Sequence, residues 1–409
     1  MNQTKAICRS CGCQQLVSVL DLGTTALADR MLFASQLDQP EPMFPLEVVF
    51  CPECSLVQIM ETVNPEVLFD EDYPYFSSFS SYLLEHSRQN VLELIDRRGL
   101  TADSFVVELA SNDGYLLKNY VDHGIPVLGI DPVPALCAAA EKIGVPSRAE
   151  FFGTEFAEKL VAEGQQADII HANNVLAHVA DTNGFVAGIA ALLKTDGMAV
   201  IEFPYVRDLI DHCEFDTIYH EHLCYFSATA VDHLLRRHGL FLTDVWRLPI
   251  HGGSLRLFIE KKDAPRQSVI DLLAEEKALG LDRSEYYREF SQRVAQLKTD
   301  LISLLSRLKS EGKSIAAYGA AAKGSTLLNY VGIGPDILDF VADKNVHKQG
   351  RYMPGQRVPI VAAEKIQSEH PDYVLLLPWN LENEILAQEQ AYRDSGGQFI
   401  IPVPTPRVV

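Results

Sequence analysis

Phe105-Val-Val-Glu108-Leu-Ala-Ser-Asn112-Asp113-Gly114 is the stretch around which the chain is organised. Phe105 to Leu109 is mostly apolar with two β-branched residues, the composition of a buried parallel strand. Ser111 to Gly114 is a polar turn closed by glycine, and Tyr115 to Val121 reads as the start of a helix. A second apolar run, Val127 to Ile130, ends in Asp131. Strand, tight turn, helix and a second strand ending in an acid is the layout that seats a nucleoside. The acid, 23 positions after Glu108, can accept hydrogen bonds from ribose hydroxyls. A phosphate loop is richer in glycine and ends on free helix N–H groups. Here Glu108 and Asp113 would repel a pyrophosphate but suit a ligand with a sulfonium and an ammonium group. That directs the reading to S-adenosylmethionine rather than NAD or ATP. An ordinary βαβ unit without a ligand is the competing reading.

The α/β alternation continues downstream. Helix Pro134 to Ile143, an edge from Val145 to Glu150, strand Ala167 to Ala172, helix Asn183 to Leu193 and strand Met198 to Phe203 complete five repeats. Ligands of open α/β sheets sit at the carboxyl ends of strands, which brings Asn173, Asn174 and His178 beside Asp113 and Asp131.

The chain has 409 residues, enough for two or three domains, and a formal net charge of −20. Without a basic stripe it is expected to bind no nucleic acid. It holds no apolar run long enough for a membrane span, and no secretory leader, so a cytoplasmic chain is expected. Four of the eight cysteines form two pairs, Cys8-x-x-Cys11 and Cys51-x-x-Cys54. Two such knuckles complete a closed S4 zinc site with structural purpose, and Cys13 is a spare. Four free thiols or a redox pair is the alternative. Residues 71 to 82 are aromatic and hydroxyl-rich, fit either to line a polar pocket or to bridge two domains from the surface.

Asp216-Thr-Ile-Tyr219-His220-Glu221-His222-Leu-Cys-Tyr225 crowds ionisable residues together. As an extended run it would place Tyr219, Glu221 and Tyr225 on one face and the two histidines on the other. His-Glu-His lacks the helical i, i+4 spacing of a zinc protease, so acid–base chemistry is favoured over metal. His251-Gly-Gly precedes an amphipathic strand, Leu255 to Glu260, and is placed at the pocket. Residues 265 to 311 read as a helical arm. A second α/β unit follows, with strands Ser314 to Tyr318, Ile337 to Val341 and Tyr373 to Leu377, the middle one leading to Asp343. Its turn, Gly319 to Thr326, has one cation, Lys323, and no acid, and suits phosphate at a helix N-terminus. An empty structural unit is the alternative.

Together these pieces resemble the bacterial deoxysugar C-methyltransferases, S-adenosylmethionine enzymes acting on nucleotide-linked 4-keto sugars. The likeness covers nearly the whole chain. It rests on the four cysteines, Tyr-Pro-Tyr-x-Ser-Ser at Tyr73 to Ser78, Glu-x-x-x-Asn-Asp-Gly at Glu108 to Gly114, and Asn173 to His178. Tyr-x-Glu-His at Tyr219 to His222, His251-Gly-Gly and Tyr-Gly-Ala-x-Ala-Lys at Tyr318 to Lys323 complete it. It implies an α/β protein: a zinc-binding module over residues 1–70, a Rossmann-like methyltransferase domain over 71–262, and over 263–409 the arm with a Rossmann-like substrate-binding domain. It implies a cofactor seat at Glu108, Asn112, Asp113, Gly114, Asp131, Asn173 and Asn174. The nucleotide sugar would contact Ser78, Gly319, Lys323, Trp379 and Asn380. The reaction, proton loss next to a ketone followed by methylation, needs a base and enolate donors. His222 is the expected base, Glu221 the group that holds its tautomer, and Tyr75, Tyr219 and His178 the donors. The expected assembly is a monomer or weak homo-oligomer. A carrier-free small-molecule substrate, an NAD-dependent sugar oxidoreductase and a catalytically idle sugar-nucleotide sensor are the rival readings. One departure from the family pattern matters below: Glu108-Leu-Ala110-Ser stands where Glu-Ile-Gly-Cys or Glu-Ile-Gly-Ser is usual. A second, Phe76 and Phe79 in place of smaller or more polar residues, bears on the substrate.

Overall fold

A computed structural model describes residues 7–64, 68 and 77–409. The N-terminal part builds an antiparallel meander of β1 (Val17–Ala26), β2 (Met43–Phe50) and β3 (Val57–Ile59). Its fourth strand comes from the opposite end of the next domain: Cys224–Tyr225 pairs antiparallel with Val57 and Gln58. Each cysteine pair sits on a tight knuckle. Gly12 N–H donates to the Cys8 carbonyl at 2.9 Å and Ser55 N–H to the Cys51 carbonyl at 2.9 Å. Gly12 and Ser55 both take positive φ, 77° and 62°, to close these turns.

The central sheet has seven strands. β4 (Val106–Leu109), β5 (Val127–Asp131), β6 (Ser147–Ala149), β7 (Ala167–Asn173) and β8 (Leu193–Pro204) run parallel, with β4 between β5 and β7. The short β9 (Cys224–Tyr225) leaves for the N-terminal sheet. β10 (Phe241–Leu248) and β11 (Ser254–Glu260) then return antiparallel beside β8. All four residues of β4 are buried, as a central parallel strand requires. β11 is buried on six of its seven residues, so it is no amphipathic edge: β8 covers one side of it and β10 the other. The helix expected from Tyr115 is confined to Lys118–Val121. Residues 112–117 are spent on turns that follow Asn112, whose φ is 50°.

Helices Gln267–Leu279 and Ser284–Ser310 form the arm. The second buries Tyr287, Phe290, Val294, Leu297, Leu301, Leu305 and Leu308, a three-and-four spacing that makes one apolar stripe. The stripe packs on β1. The last sheet runs β14 (Ile360–Ala362), β13 (Val341–Asp343), β12 (Ile315–Tyr318), β15 (Tyr373–Leu376) and β16 (Gln398–Ile401) in parallel, then β17 (Arg407–Val408) antiparallel. Helix Ala322–Val331 docks this unit on the other two. Ser325 Oγ donates to the Ala28 carbonyl at 2.7 Å and Thr326 Oγ1 to the Ile218 carbonyl at 3.1 Å. Apolar side chains from all three parts form one continuous core.

Candidate active site

The polar ends of β4, β5, β7 and β8 open into a cavity of about 580 Å³. Asp131 grips the first turn through both carboxylate oxygens. Oδ2 accepts the Asn112 N–H at 2.9 Å and Oδ1 accepts the Val133 N–H at 2.9 Å. Burial raises its pKa, those two bonds oppose the rise, and the Asp113 charge adds to it. Asn112, Asp131, Asn173 and Asn174 line the cavity. Asn173 Oδ1 is buried with no hydrogen-bond partner among the described residues, an acceptor available to a ligand's donor.

Three of the expected cofactor residues stand elsewhere. Glu108 is 1% exposed, lies under the turn and is absent from the cavity lining. Burial and then the charges of Asp131 and Asp113 push its carboxyl well above the usual range. Asp113 Oδ2 accepts the Ser78 N–H at 3.3 Å, fixing the segment that precedes helix Ser81–Arg98. Gly114 packs against Ala140 and Val145 at φ 79°, so its role is the turn itself. Ser77, whose N–H donates to Asn112 Oδ1 at 3.0 Å, lines the cavity in place of Ser78. Tyr75 lies outside the described residues, as does most of the Tyr73 to Ser78 motif.

The Tyr219 to His222 segment is a turn, not an extended run. The His222 N–H donates to the Tyr219 carbonyl at 2.9 Å, bringing both rings to the same side. Their centroids are 4.1 Å apart, and His178 meets His222 edge-on at 4.8 Å. His220 turns away to the N-terminal module, its Nε2 3.0 Å from the Pro45 carbonyl oxygen. His222 Nδ1 is 2.9 Å from the Thr217 carbonyl oxygen, which can only accept, so Nδ1 carries the proton. Nε2 then holds the lone pair and accepts from the Tyr219 hydroxyl at 3.0 Å. The tautomer is therefore set by Thr217 and not by Glu221. Burial lowers the His222 pKa well below the imidazole range. The nearby His178, His251 and Lys323 lower it further, and the Thr217 carbonyl opposes them. Burial likewise holds His178 down to about 4. Both rings are neutral at physiological pH.

Glu221 lines the same cavity, as do residues that the sequence did not single out: Asp29, Phe151, Phe152, Tyr205 and Glu214. Asp29 reaches it from the turn after β1, brought there by tertiary folding alone. His251 enters from a strained backbone at φ 57°. A β-carbon on Gly252 or Gly253 would collide with the Glu214 or Asp208 carboxylate, which explains the glycine pair.

Of the second loop, Lys323 and Asn380 reach the cavity and bond each other, Nζ to Oδ1, at 3.0 Å. Trp379 supports them from behind. The Lys323 ammonium lies 4.7 Å from its ring centroid, and its Nε1 donates to Asp216 Oδ2 at 2.7 Å. Gly319 faces Pro378 and not the cavity. The acid missing from the loop's own sequence is supplied by the fold, since Asp343 Oδ2 accepts the Ala320 N–H at 2.6 Å.

At the far end of the N-terminal sheet, one sulfur of each of Cys8, Cys11, Cys51 and Cys54 lies within 4.8 Å of the others. Four thiolates so gathered, three of the residues buried, fit a tetrahedral zinc and leave no open position. Burial pushes the Cys224 thiol nearby up to about 12, consistent with a bystander. Among the described residues no helix is long and apolar enough to cross a membrane.

Three family profiles match the chain in succession. The zinc-binding domain profile matches residues 8–69, a methyltransferase domain profile matches 82–245, and the C-methyltransferase C-terminal domain profile matches 249–404. The C-methyltransferase NovU of Streptomyces niveus is 36% identical over 405 residues, covering 98% of this chain and 96% of that protein. Among solved structures, magnesium protoporphyrin IX methyltransferase of Synechocystis, with bound SAM, covers 43% of this chain and 78% of that one at 13% identity and a TM-score of 0.34. The PH0226 protein of Pyrococcus horikoshii covers 47% of this chain and 100% of that one at 17% identity and a TM-score of 0.37.

Proposed function

Since the chain belongs to the S-adenosylmethionine-dependent, zinc-containing C-methyltransferases, we propose that it methylates the carbon next to the ketone of a nucleotide-linked 4-keto deoxysugar. The observation that carries this reading is the placement, in one cavity, of the Tyr219–His222 pair, the Asn112–Asp131–Asn173 seat and the Lys323–Asn380 edge. Asn112, Asp131 and Asn173 hold the cofactor, with Asp131 directed at ribose hydroxyls. When bound, S-adenosylmethionine supplies an activated, electrophilic methyl group. His222 Nε2 takes the proton from the α-carbon, and Nδ1 keeps its own proton on the Thr217 carbonyl. The imidazolium so formed is stabilised by that carbonyl. Tyr219 must release Nε2 for this step, which frees its hydroxyl to donate to the developing enolate oxygen. The buried Phe203 and half-buried Phe152 give the cavity wall apolar surface that would limit the water able to reprotonate the enolate. Lys323, backed by Trp379, meets the diphosphate. The zinc holds structure, and reduced thiolates suit a cytoplasmic enzyme.

Incubation with S-adenosylmethionine and a dTDP-linked 4-keto-6-deoxysugar should yield S-adenosylhomocysteine and a sugar heavier by one methyl group replacing hydrogen. Equal kcat/KM for the free sugar would exclude the nucleotide-linked reading, and product methylated on oxygen would exclude carbon as the acceptor.

A further inference from the structure

The sequence and the family explain why Glu221 is in the cavity but not why Asp29 is. Asp29 is the one described residue of the N-terminal module that lines it. Its position is enforced from both sides. The Ala28 carbonyl accepts from Ser325 Oγ at 2.7 Å, and Leu32 exchanges backbone bonds of 3.0 and 2.9 Å with Tyr352. The C-terminal unit thus pins the segment that carries Asp29 while the zinc sheet carries it in. Neither Asp29 nor Glu221 has a side-chain hydrogen bond or ion pair among the described residues, and no bond closes between them. Both carboxyls line one cavity, the Glu221 side chain being buried, which leaves Glu221 free to meet a substrate oxygen.

We propose that Asp29 is a positioning residue that keeps a proton on Glu221, so that the Glu221 O–H donates to the substrate oxygen that gains negative charge. The claim rests on the methyl-transfer reading given above. The charges around the pair agree with it. Burial raises both carboxyls, and the Asp29 charge raises Glu221 further. From the C-terminal unit Lys348 partly offsets the effect at Asp29, but its ammonium is engaged by the Ala320 carbonyl at 2.7 Å. From the central domain His178, against the Glu221 backbone, and His222 are neutral and supply no compensating cation. Tyr219 is engaged with His222, and Lys323 and His251 act on His222. Two carboxyls so placed cannot both ionise easily, and a carboxylic acid held neutral in an apolar site is a strong enolate donor. The proton stays on the pair throughout: proton abstraction falls to His222, and no bond to carbon forms or breaks at Glu221.

The test uses the full-length holoprotein with S-adenosylhomocysteine, and takes the Glu221 C=O stretch from the infrared difference between the wild type and Glu221→Gln as pH rises, because the buried Glu108 has a protonated-carboxyl band of its own. Asp29→Asn keeps shape and removes charge. Without its like-charged neighbour Glu221 binds its proton less tightly, so the pH at which the band is lost should fall by about one unit. The alkaline limb of kcat should fall with it. Glu221→Gln should remove one carboxyl component of the band and lower kcat with little change in S-adenosylhomocysteine affinity. An unmoved midpoint in Asp29→Asn, or a band undiminished in Glu221→Gln, overturns the proposal. Absence of methyl transfer by the wild type with the infrared pattern intact would overturn the substrate reading alone. If Asp29→Asn fails to fold, the Glu221→Gln spectrum still decides whether the proton is there.

Discussion

The two parallel sheets carry the same device at the same place. In each, an acid at the end of the second strand clamps the turn after the first. Asp131 takes the N–H groups of Asn112 and Val133, and Asp343 takes those of Ala320 and Asn345, at 2.6 and 2.7 Å. Beyond the clamp the units diverge. The central turn opens on a cavity whose lining retains an unpaired acceptor at Asn173. The C-terminal turn satisfies itself: the Lys348 ammonium caps the Ala320 carbonyl, and Pro378 fills the space over Gly319. A shared topology therefore does not make a shared function. A binding seat exists where the fold leaves polar groups unmet, and the second unit contributes an edge, Lys323 with Asn380, to the seat of the first.

The sharpest way to break this comparison is to remove the chemistry from the central site. His222→Ala should lower kcat by about 10²–10⁴-fold, the usual size of general-base catalysis, and leave S-adenosylhomocysteine affinity within about threefold. Because burial holds His222 well below its ordinary pKa, it stays neutral and competent as pH falls through about 6.5, the value of a free imidazole. The acid limb of kcat should therefore lie below that pH. Wild-type kcat in the variant would move the base to another residue.

The two clamps offer a paired experiment. Asp131→Ala removes a cavity-lining acceptor as well as a clamp, and should weaken S-adenosylhomocysteine binding by about 10–100-fold, the worth of hydrogen bonds to a charged group. Asp343→Ala removes a clamp only. It should cost about 1–3 kcal/mol of stability, from two N–H groups left without an acceptor, with affinity unchanged. Calorimetry and denaturant unfolding read the two effects separately, and equal losses of affinity would erase the distinction. Lys323→Ala should then raise KM for the nucleotide-linked substrate by about tenfold with kcat and cofactor affinity nearly unchanged. A matching fall in kcat would place Lys323 nearer the reacting carbon.

Much of this contrast was legible in the chain. Alternating apolar runs with an acid after the second strand announced both α/β units, and the cysteine spacing announced the S4 site, because strand burial and metal ligation are local demands on sequence. The turn at Tyr219 to His222 was misread because a run of histidine, glutamate and tyrosine has no periodicity, and its conformation is fixed by β9 pairing with β3, where Cys224 meets Gln58 and Tyr225 meets Val57. Asp29 gave no signal, since its neighbours are ordinary and contacts distant in sequence, with Ser325 and Tyr352, hold its segment at the cavity. Asp343 was visible as the acid after the second strand, but its bond to the Ala320 N–H, which supplies the first loop with an acid, comes only from the folded sheet.

The smallest expected effect concerns the first residue after the leading strand of each unit. In the C-terminal unit that residue is Gly319, at φ 87°, where glycine carries no steric penalty. In the central unit it is Ala110, at φ 55°, where the family pattern has glycine. A left-handed alanine costs about 1–2 kcal/mol, because its β-carbon crowds the following carbonyl. Replacing it by glycine removes that cost and gives back about 0.5–1 kcal/mol through the greater freedom of glycine in the unfolded chain. The balance favours Ala110→Gly by roughly 0.5–1 kcal/mol, a rise in Tm of about 1–3 °C. Ala110 lines the cavity, so a β-carbon is also removed from its wall, and S-adenosylhomocysteine affinity should change by less than about threefold. A melting temperature that falls would mean that Ala110 is held by packing worth more than its strain, and that the central turn, like the C-terminal one, is at rest.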